Sequence, residues 1–413
     1  MLNPYFLMTI LFMSLAALTA LDNSLASFNL ISSFGGMRWL RVHFITLGTL
    51  TEAAFWLMPA LAAARQGQPP PLTRWGTWLA LNAGIVTLLI GIPLVNSTLI
   101  LAGGTLVFIA VMMLIKQLAD MGARPVDAGS GQGRPFYIAG LGYFLLGIIV
   151  GTGLWLGWGA WLRIQVPIEV HIHANSWGFM SFVFAGLLVD AYPRVTGRSL
   201  AWPRSVSAIF WLLVFGALGL VLGPWVGSTW FSVPGLLLHT AGTLLLLANV
   251  VKPMLGRRWP VGLWHLTTSY FWFFAPVLVA PLIIARVPGF PGAGIEQNAP
   301  QALVYGWMLQ FGYAILPYFF TRIFLPREQP RLGGSRFSLV ATHVGGFVFW
   351  SSIFLLDYQG LLQGVAYALW VASLLPILLD IWRIVRRGWA EENKGLPDAA
   401  RAELRAGEPS TAD

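Results

Sequence analysis

The chain has 413 residues, of which 57% are hydrophobic and only 10% charged, with a formal net charge of +9 and a mean hydropathy of +0.71. A water-soluble protein keeps roughly a quarter of its residues charged, so most of this surface must face lipid. The chain contains no cysteine, which excludes disulfides, thiolate zinc sites, iron–sulfur clusters, a cysteine-bridged dicopper centre and covalently attached c-type haem.

Apolar runs of about 20 residues, the length a helix needs to cross a bilayer, fall at 4–22, 40–63, 76–94, 97–116, 136–160, 168–191, 205–224, 228–251, 263–286, 300–323, 337–356 and 361–383. They lack the alternation of barrel strands, so the expected fold is an all-α integral membrane protein with about twelve transmembrane helices. The first run has neither a basic n-region nor an A-x-A cleavage site and reads as a retained span. Residues 1–388 then form a single transmembrane domain, and 389–413 a short polar tail. The longest internal connection, near Asp120–Pro135, is too small to be a domain.

The basic residues sort by loop. Fifteen lie in even-numbered loops, among them Arg65, Arg74, Lys252, Arg257 and Arg258, and six in the C-terminal segment from Arg383 to Arg405. The odd-numbered loops hold only Arg38, Arg41, Arg163 and Arg286. The positive-inside rule places both termini and the even loops in the cytoplasm, and the expected location is the inner membrane of a bacterial or archaeal cell. The +9 charge therefore reflects topology, and no nucleic-acid partner is expected. The partner is the lipid bilayer, with an electron donor or a further membrane subunit as additional candidates.

Spans 2, 6 and 10 end on Pro59, Pro193 and Pro317, which are 134 and 124 residues apart, about four spans each time. This suggests three pseudo-symmetric four-helix arcs, at about 1–120, 134–252 and 260–388.

All six histidines fall inside or at the edge of apolar runs. Burying an ionisable side chain in a membrane costs several kcal/mol unless it is paired or ligated. His171 and His173 are two residues apart, about 200° around a helix, so they point to nearly opposite sides and suit two separate sites. Both lie in the first turns of span 6. His43 lies in the first turns of span 2, which starts on the same side. The three imidazoles are expected at one depth, where His43 and one of the pair suit a haem iron.

The stretch from His171 to Arg198, HIHANSWGFMSFVFAGLLVDAYPRVTGR, resembles the H-x-H helix of haem–copper oxidase subunit I. His171, His173, Gly178, Ala185, Gly186, Pro193, Thr196 and Gly197 carry the likeness. The resemblance implies that the first histidine ligates a high-spin haem and the second a low-spin haem, whose other axial ligand comes from span 2, here His43. Twelve spans in three arcs is also that family's architecture. The motif sits in the sixth span rather than the tenth, span 7 has no histidine, and no usual three-histidine copper site is recognisable. The pattern is closer to small NnrS-type membrane haem proteins linked to nitric oxide. The cofactors this implies are one or two haems of the b type, with copper as a further candidate.

Among the remaining groups, His239 near the middle of span 8 is a candidate for a second metal or a distal catalytic residue. His265 and His343 lie nearer the cytoplasmic face, with no assigned role. Glu52 is the one acidic residue near the centre of a span; nine residues beyond His43, it is a candidate proton carrier on the opposite face of the helix. Arg38 and Arg41, at the outer mouth of span 2, are candidates to hold haem propionates by paired hydrogen bonds. Asp190 and Arg194 have the spacing of a helix-end ion pair, and Trp155, Trp158 and Trp161 that of an interface belt. The expected function is a membrane haem protein, acting on or responding to nitric oxide or oxygen as an oxidoreductase, or carrying electrons. The alternative is a haem-free transporter coupled to protons or a metal.

Overall fold

A computed structural model describes residues 3–32, 37–121 and 132–394. These residues form helices and no strand: α1 (Pro4–Ser27), α2 (Arg38–Arg65), α3 (Trp75–Gly91), α4 (Ser97–Asp120), α5 (Arg134–Leu156), α6 (Pro167–Thr196), α7 (Pro203–Val226), α8 (Thr229–Met254), α9 (Val261–Ile284), α10 (292–324), α11 (Arg336–Ser351) and α12 (Gln359–Lys394). Among the described residues nine helices are long and apolar enough to cross a membrane, and α3 is a shorter apolar helix. The protein is thus an all-α membrane protein. Of the expected polar tail, 389–394 continue α12, and the rest lies outside the described residues.

Local sequence sets the helix ends. Asn3 accepts from the Tyr5 amide at 3.1 Å with Pro4 in the first helical position, and Asn96 caps α4 through the Leu99 amide. Both satisfy donors that a helix start leaves free. The Thr196-Gly197 pair of the motif stops α6. Thr196 Oγ1 donates back to the Tyr192 carbonyl at 2.7 Å, and Gly197 takes φ 66°, a left-handed conformation that costs glycine little.

The helices divide by what they touch. The most apolar stretches of α2 and α6 are 89% and 83% buried inside the protein, against 28–50% for the other candidate spans. In α10, every residue from Gln301 to Phe320 is buried. α2, α6 and α10 therefore form the interior, and the outer helices present Leu, Ile, Phe and Trp to their surroundings, as Leu18, Ile90, Trp211 and Leu278 do. With lipid on the outside, this arrangement buries Glu52 and Asp190 on the inner helices.

These three inner helices share one local construction. Each contains a seven-residue π-helical stretch, Phe44–Leu50, Ala174–Met180 and Leu303–Leu309, starting at residues 44, 174 and 303 and so 130 and 129 residues apart. Each stretch holds a glycine packed on an aromatic side chain of the helix before it: Gly48 on Phe12, Gly178 on Tyr143 and Gly306 on Trp272. A Cβ at any of the three would approach that ring to under 3.0 Å. π-Helical turns are rare and occur mostly at functional sites, because the wider turn redirects side chains. Two of the three follow directly on His43 and His173.

At the end carrying the basic loops, α2, α5 and α6 are tied together by Asp190. Its carboxylate accepts from Arg65 Nε at 2.9 Å, the Gly133 amide at 3.0 Å and the Tyr137 hydroxyl at 3.0 Å. The local pairing of Asp190 with Arg194 is not what forms. Arg194 donates to the Asp190 backbone carbonyl at 3.1 Å, and the ion pair reaches across to α2. Arg65 can also donate to the Val189 carbonyl at 2.8 Å, which anchors the guanidinium at two points.

Candidate functional site

His43 and His171 meet. Their ring centroids are 6.3 Å apart with planes inclined at 26°, and both line a cavity of about 930 Å³ walled by α2 to α6 and α10. An imidazole nitrogen lies about 1.2 Å from its ring centre and binds a first-row metal at about 2.0–2.1 Å, so two rings on one ion stand about 6–6.5 Å apart. The observed separation falls in that range.

The hydrogen bonds set the same orientation in each ring. His43 Nδ1 donates to the Trp39 carbonyl at 2.8 Å and His171 Nδ1 to the Gly147 carbonyl at 2.9 Å. A carbonyl only accepts, so Nδ1 carries the hydrogen and Nε2 is left with its lone pair. Among the described residues Nε2 of neither ring makes a hydrogen bond. Metal-binding imidazoles characteristically give their other N–H to a carbonyl in this way. His43 also stacks on Trp39 at 4.2 Å.

Glycines make room for the second ring. A Cβ on Gly151 would lie 2.6 Å from His171 Cε1, and one on Gly147 would collide with Asn175. His171 and Asn175, one turn apart on α6, thus fit into a groove formed by two glycines one turn apart on α5. Asn175 Nδ2 donates to the His171 carbonyl at 2.8 Å. Trp39, Gly147, Gly151 and Asn175 are site residues that the histidine pattern alone does not pick out. The i, i+4 glycine pair was the available signal, although a glycine-rich helix offers many such pairs.

His173 is turned away from this cavity. Its Nδ1 donates to the Leu220 carbonyl of α7 at 2.6 Å, and its Nε2 too makes no hydrogen bond among the described residues. The resemblance pairs His43 with His173; in the structure His171 is the ring opposite His43. The 200° separation of the two side chains is as expected, and α6 is rotated so that the first of them faces α2.

Arg38 lines the mouth of the cavity together with Trp155, Glu169 and Glu296, and it donates to the Gln297 carbonyl. Arg41 does not reach the cavity. Its side chain donates to Asn23 Oδ1 and lies 5.4 Å from the centre of the Tyr367 ring, because it projects from α2 toward α1 and α12. Trp155, expected as part of an interface belt, contributes to the cavity wall.

His239 stands apart as well. α7 and α8 pack at glycine distance, through Gly216, Gly219 and Gly235, a close approach typical of membrane helices. This wedges His239 between Trp177 and Phe273. Its Nε2 donates to the Trp177 carbonyl at 2.9 Å, and Nδ1 lies 3.5 Å from the Thr243 hydroxyl. The ring is hydrogen-bonded and packed, and no group of three or more His, Asp or Glu able to hold a metal ion occurs among the described residues. The geometry therefore does not bring His239 into the candidate site, either as a second-metal ligand or as a catalytic group beside His43 and His171.

His343 accepts from Trp272 Nε1 at 3.1 Å and meets the Thr268 hydroxyl through Nε2 at 2.9 Å. His265 Nε2 meets Ser335 and Ser338. Both belong to a polar cluster among α9, α10 and α11, away from the cavity. Glu52 is fully buried; it does not itself line the cavity, but its neighbour Thr51 does.

The chain matches no protein-family model and no curated protein. The chemistry of the site must therefore be argued from its own geometry. Two neutral imidazoles with free Nε2 atoms at ligand separation, in a largely apolar cavity with an arginine at its mouth, can clamp a flat metal macrocycle between α2 and α6. Arg38 is the one cation in the cavity lining and could pair with a carboxylate of such a macrocycle, while Glu169 and Glu296 lie at the same mouth.

Proposed function

We propose that the protein is a membrane haem protein that carries electrons, with one haem held between His43 and His171. The observation that carries this reading is the 6.3 Å separation of the two rings across a 930 Å³ cavity, each with Nδ1 fixed by a backbone carbonyl. His43 and His171 would hold such a haem, and it would supply reversible one-electron exchange. Trp39 and Gly147 hold the two rings at fixed orientation, Gly151 keeps space for His171, and Arg38 would be the residue to meet the propionates. The apolar wall excludes water.

The reading supports membership of the haem–copper oxidase superfamily in its small, NnrS-like branch, with α1 to α12 as twelve spans in three arcs. The π-helical stretches 130 and 129 residues apart, with their matched glycine and aromatic contacts, support the threefold arrangement. The basic loops support a cytoplasmic location for both termini, which would put the His43–His171 site toward the outer face of the inner membrane. His173 has the same ligand-type hydrogen bonding, and a second haem, where chemistry on nitric oxide or oxygen would have to occur, would be held by it.

The test is the visible spectrum of the purified protein before and after dithionite, with haem counted as the pyridine haemochrome. The expected result is a low-spin b-type spectrum with at least one haem per chain. Absence of a Soret band after expression with adequate haem overturns the reading and returns the chain to the haem-free transporter alternative.

A further inference from the structure

Glu52 is a buried carboxyl with no cation paired to it among the described residues. It is fully enclosed, and neither oxygen has a hydrogen-bond partner. Asn82 of α3 lies within hydrogen-bonding reach of the carboxyl; one hydrogen of its amide goes to the Trp78 carbonyl at 3.0 Å, and its Oδ1 is unpartnered. Three orphaned acceptors therefore occupy one pocket. The remaining Asn82 N–H can serve one of these acceptors but not all three, and buried polar groups without partners mark places where a proton or an ordered water belongs.

The neighbouring chemistry offers no other answer. Tyr5 faces Glu52 from α1, and its ring is packed against Phe55. Asp190 of α6 accepts from both Arg65 and the Tyr137 hydroxyl of α5. On α4, Lys116 and Asp120 pair at an exposed position. No cation among these neighbours pairs with Glu52. One turn before Asn82, on the side where α3 begins beside the basic loop, the buried Trp78 Nε1 is also unpartnered. One residue along α2 from Glu52, Thr51 lines the cavity. The pocket thus lies between the basic-loop end and the cavity.

We propose that Glu52 is a proton-binding site linked to electron entry into the cavity. The inference rests on the haem reading. The reaction balances as one electron taken by ferric haem from a one-electron donor, and one proton taken from water on the basic-loop side by the Glu52 carboxylate, giving ferrous haem and a neutral acid. Glu52 follows His43 by nine residues, about 13 Å along the helix axis. At that separation and an effective dielectric constant of about 20, one unit of charge changes the proton affinity about tenfold.

The test is a redox titration of the purified holoprotein as a function of pH. In the wild type, the midpoint potential falls with rising pH, with Glu52 contributing a total of about 59 mV, the equivalent of a tenfold affinity change for one electron. Glu169 and Glu296 at the cavity mouth add their own dependence, so the quantity to read is the difference between wild type and Glu52→Gln. The expected result is an unchanged Soret band and a profile flatter by that amount in Glu52→Gln, with Glu169→Gln retaining it. Redox-difference infrared spectra of the wild type gain a protonated-carboxyl band on reduction, which shifts in Glu52→Asp. The infrared measurement serves if Glu52→Gln does not fold. A Soret band with identical pH profiles in wild type and Glu52→Gln, or no carboxyl band on reduction, overturns the role of Glu52 alone. A wild type without a Soret band overturns the haem reading, and the role of Glu52 with it.

Discussion

Two buried polar clusters sit on α2 and α6, and they are finished in opposite ways. At the basic-loop end, Asp190 accepts from Arg65, the Gly133 amide and the Tyr137 hydroxyl, so its charge and its lone pairs have partners within the protein. At the other end, His43 and His171 have one nitrogen fixed and the other left open toward a cavity. A buried polar group costs free energy until it is satisfied. A cluster satisfied by the protein is a strut, and a cluster satisfied on one side only is a socket. His239, hydrogen-bonded and packed on two aromatic rings, belongs with the struts despite its place in the middle of an apolar helix.

The largest effect should come from opening the socket. If a haem is held as proposed, His43→Ala would remove one of its two histidines, and complete loss of the low-spin spectrum is expected, with the helical circular dichroism retained. The strut should respond in the opposite sense. Asp190→Ala strands Arg65 beside a pocket built for a carboxylate and should cost about 2–4 kcal/mol of stability, below the fully buried case because the Arg65 side chain remains 21% exposed. Thermal unfolding in detergent measures that loss, while the spectrum per folded molecule stays unchanged. A spectral change without a stability change would break the distinction.

Smaller changes sharpen it. Gly151→Ala places a methyl group 2.6 Å from His171 Cε1, so the ring must move. Overpacking of this kind costs about 1–3 kcal/mol, which lowers haem occupancy about tenfold or more at limiting haem while Gly153→Ala does not. His239→Leu loses one buried hydrogen bond, worth about 1 kcal/mol. The melting temperature should fall slightly and the spectrum should stay as it is. A lost haem band in His239→Leu would place that residue in the site after all.

Much of this was written in the sequence. The apolar runs specify helices because length and hydropathy alone decide what can lie in lipid, and α1 to α12 coincide closely with them. His43 and the pair at 171 and 173 were legible because polar residues are rare in such runs. Their pairing was not. A two-residue spacing places His171 and His173 on opposite sides of α6, but which side faces α2 depends on how the whole helix is rotated, and no local pattern encodes that. The Asp190–Arg65 pair was hidden for a similar reason. Arg194 is four residues from Asp190, whereas Arg65 lies 125 positions away, so only the packing of α2 on α6 makes it the partner. The π-helical stretches have no compositional signature. Their regular spacing emerged from the structure, and it supports the repeat that the prolines had suggested less evenly.

The most direct measurement is the reduced-minus-oxidised spectrum of His171→Ala beside that of His173→Ala, at matched protein concentration and haem supply. Ligation by His43 and His171 predicts that His171→Ala loses the low-spin signal and His173→Ala keeps it. Retention in His171→Ala with loss in His173→Ala would contradict the site described here and return the pairing to the one the motif resemblance implies.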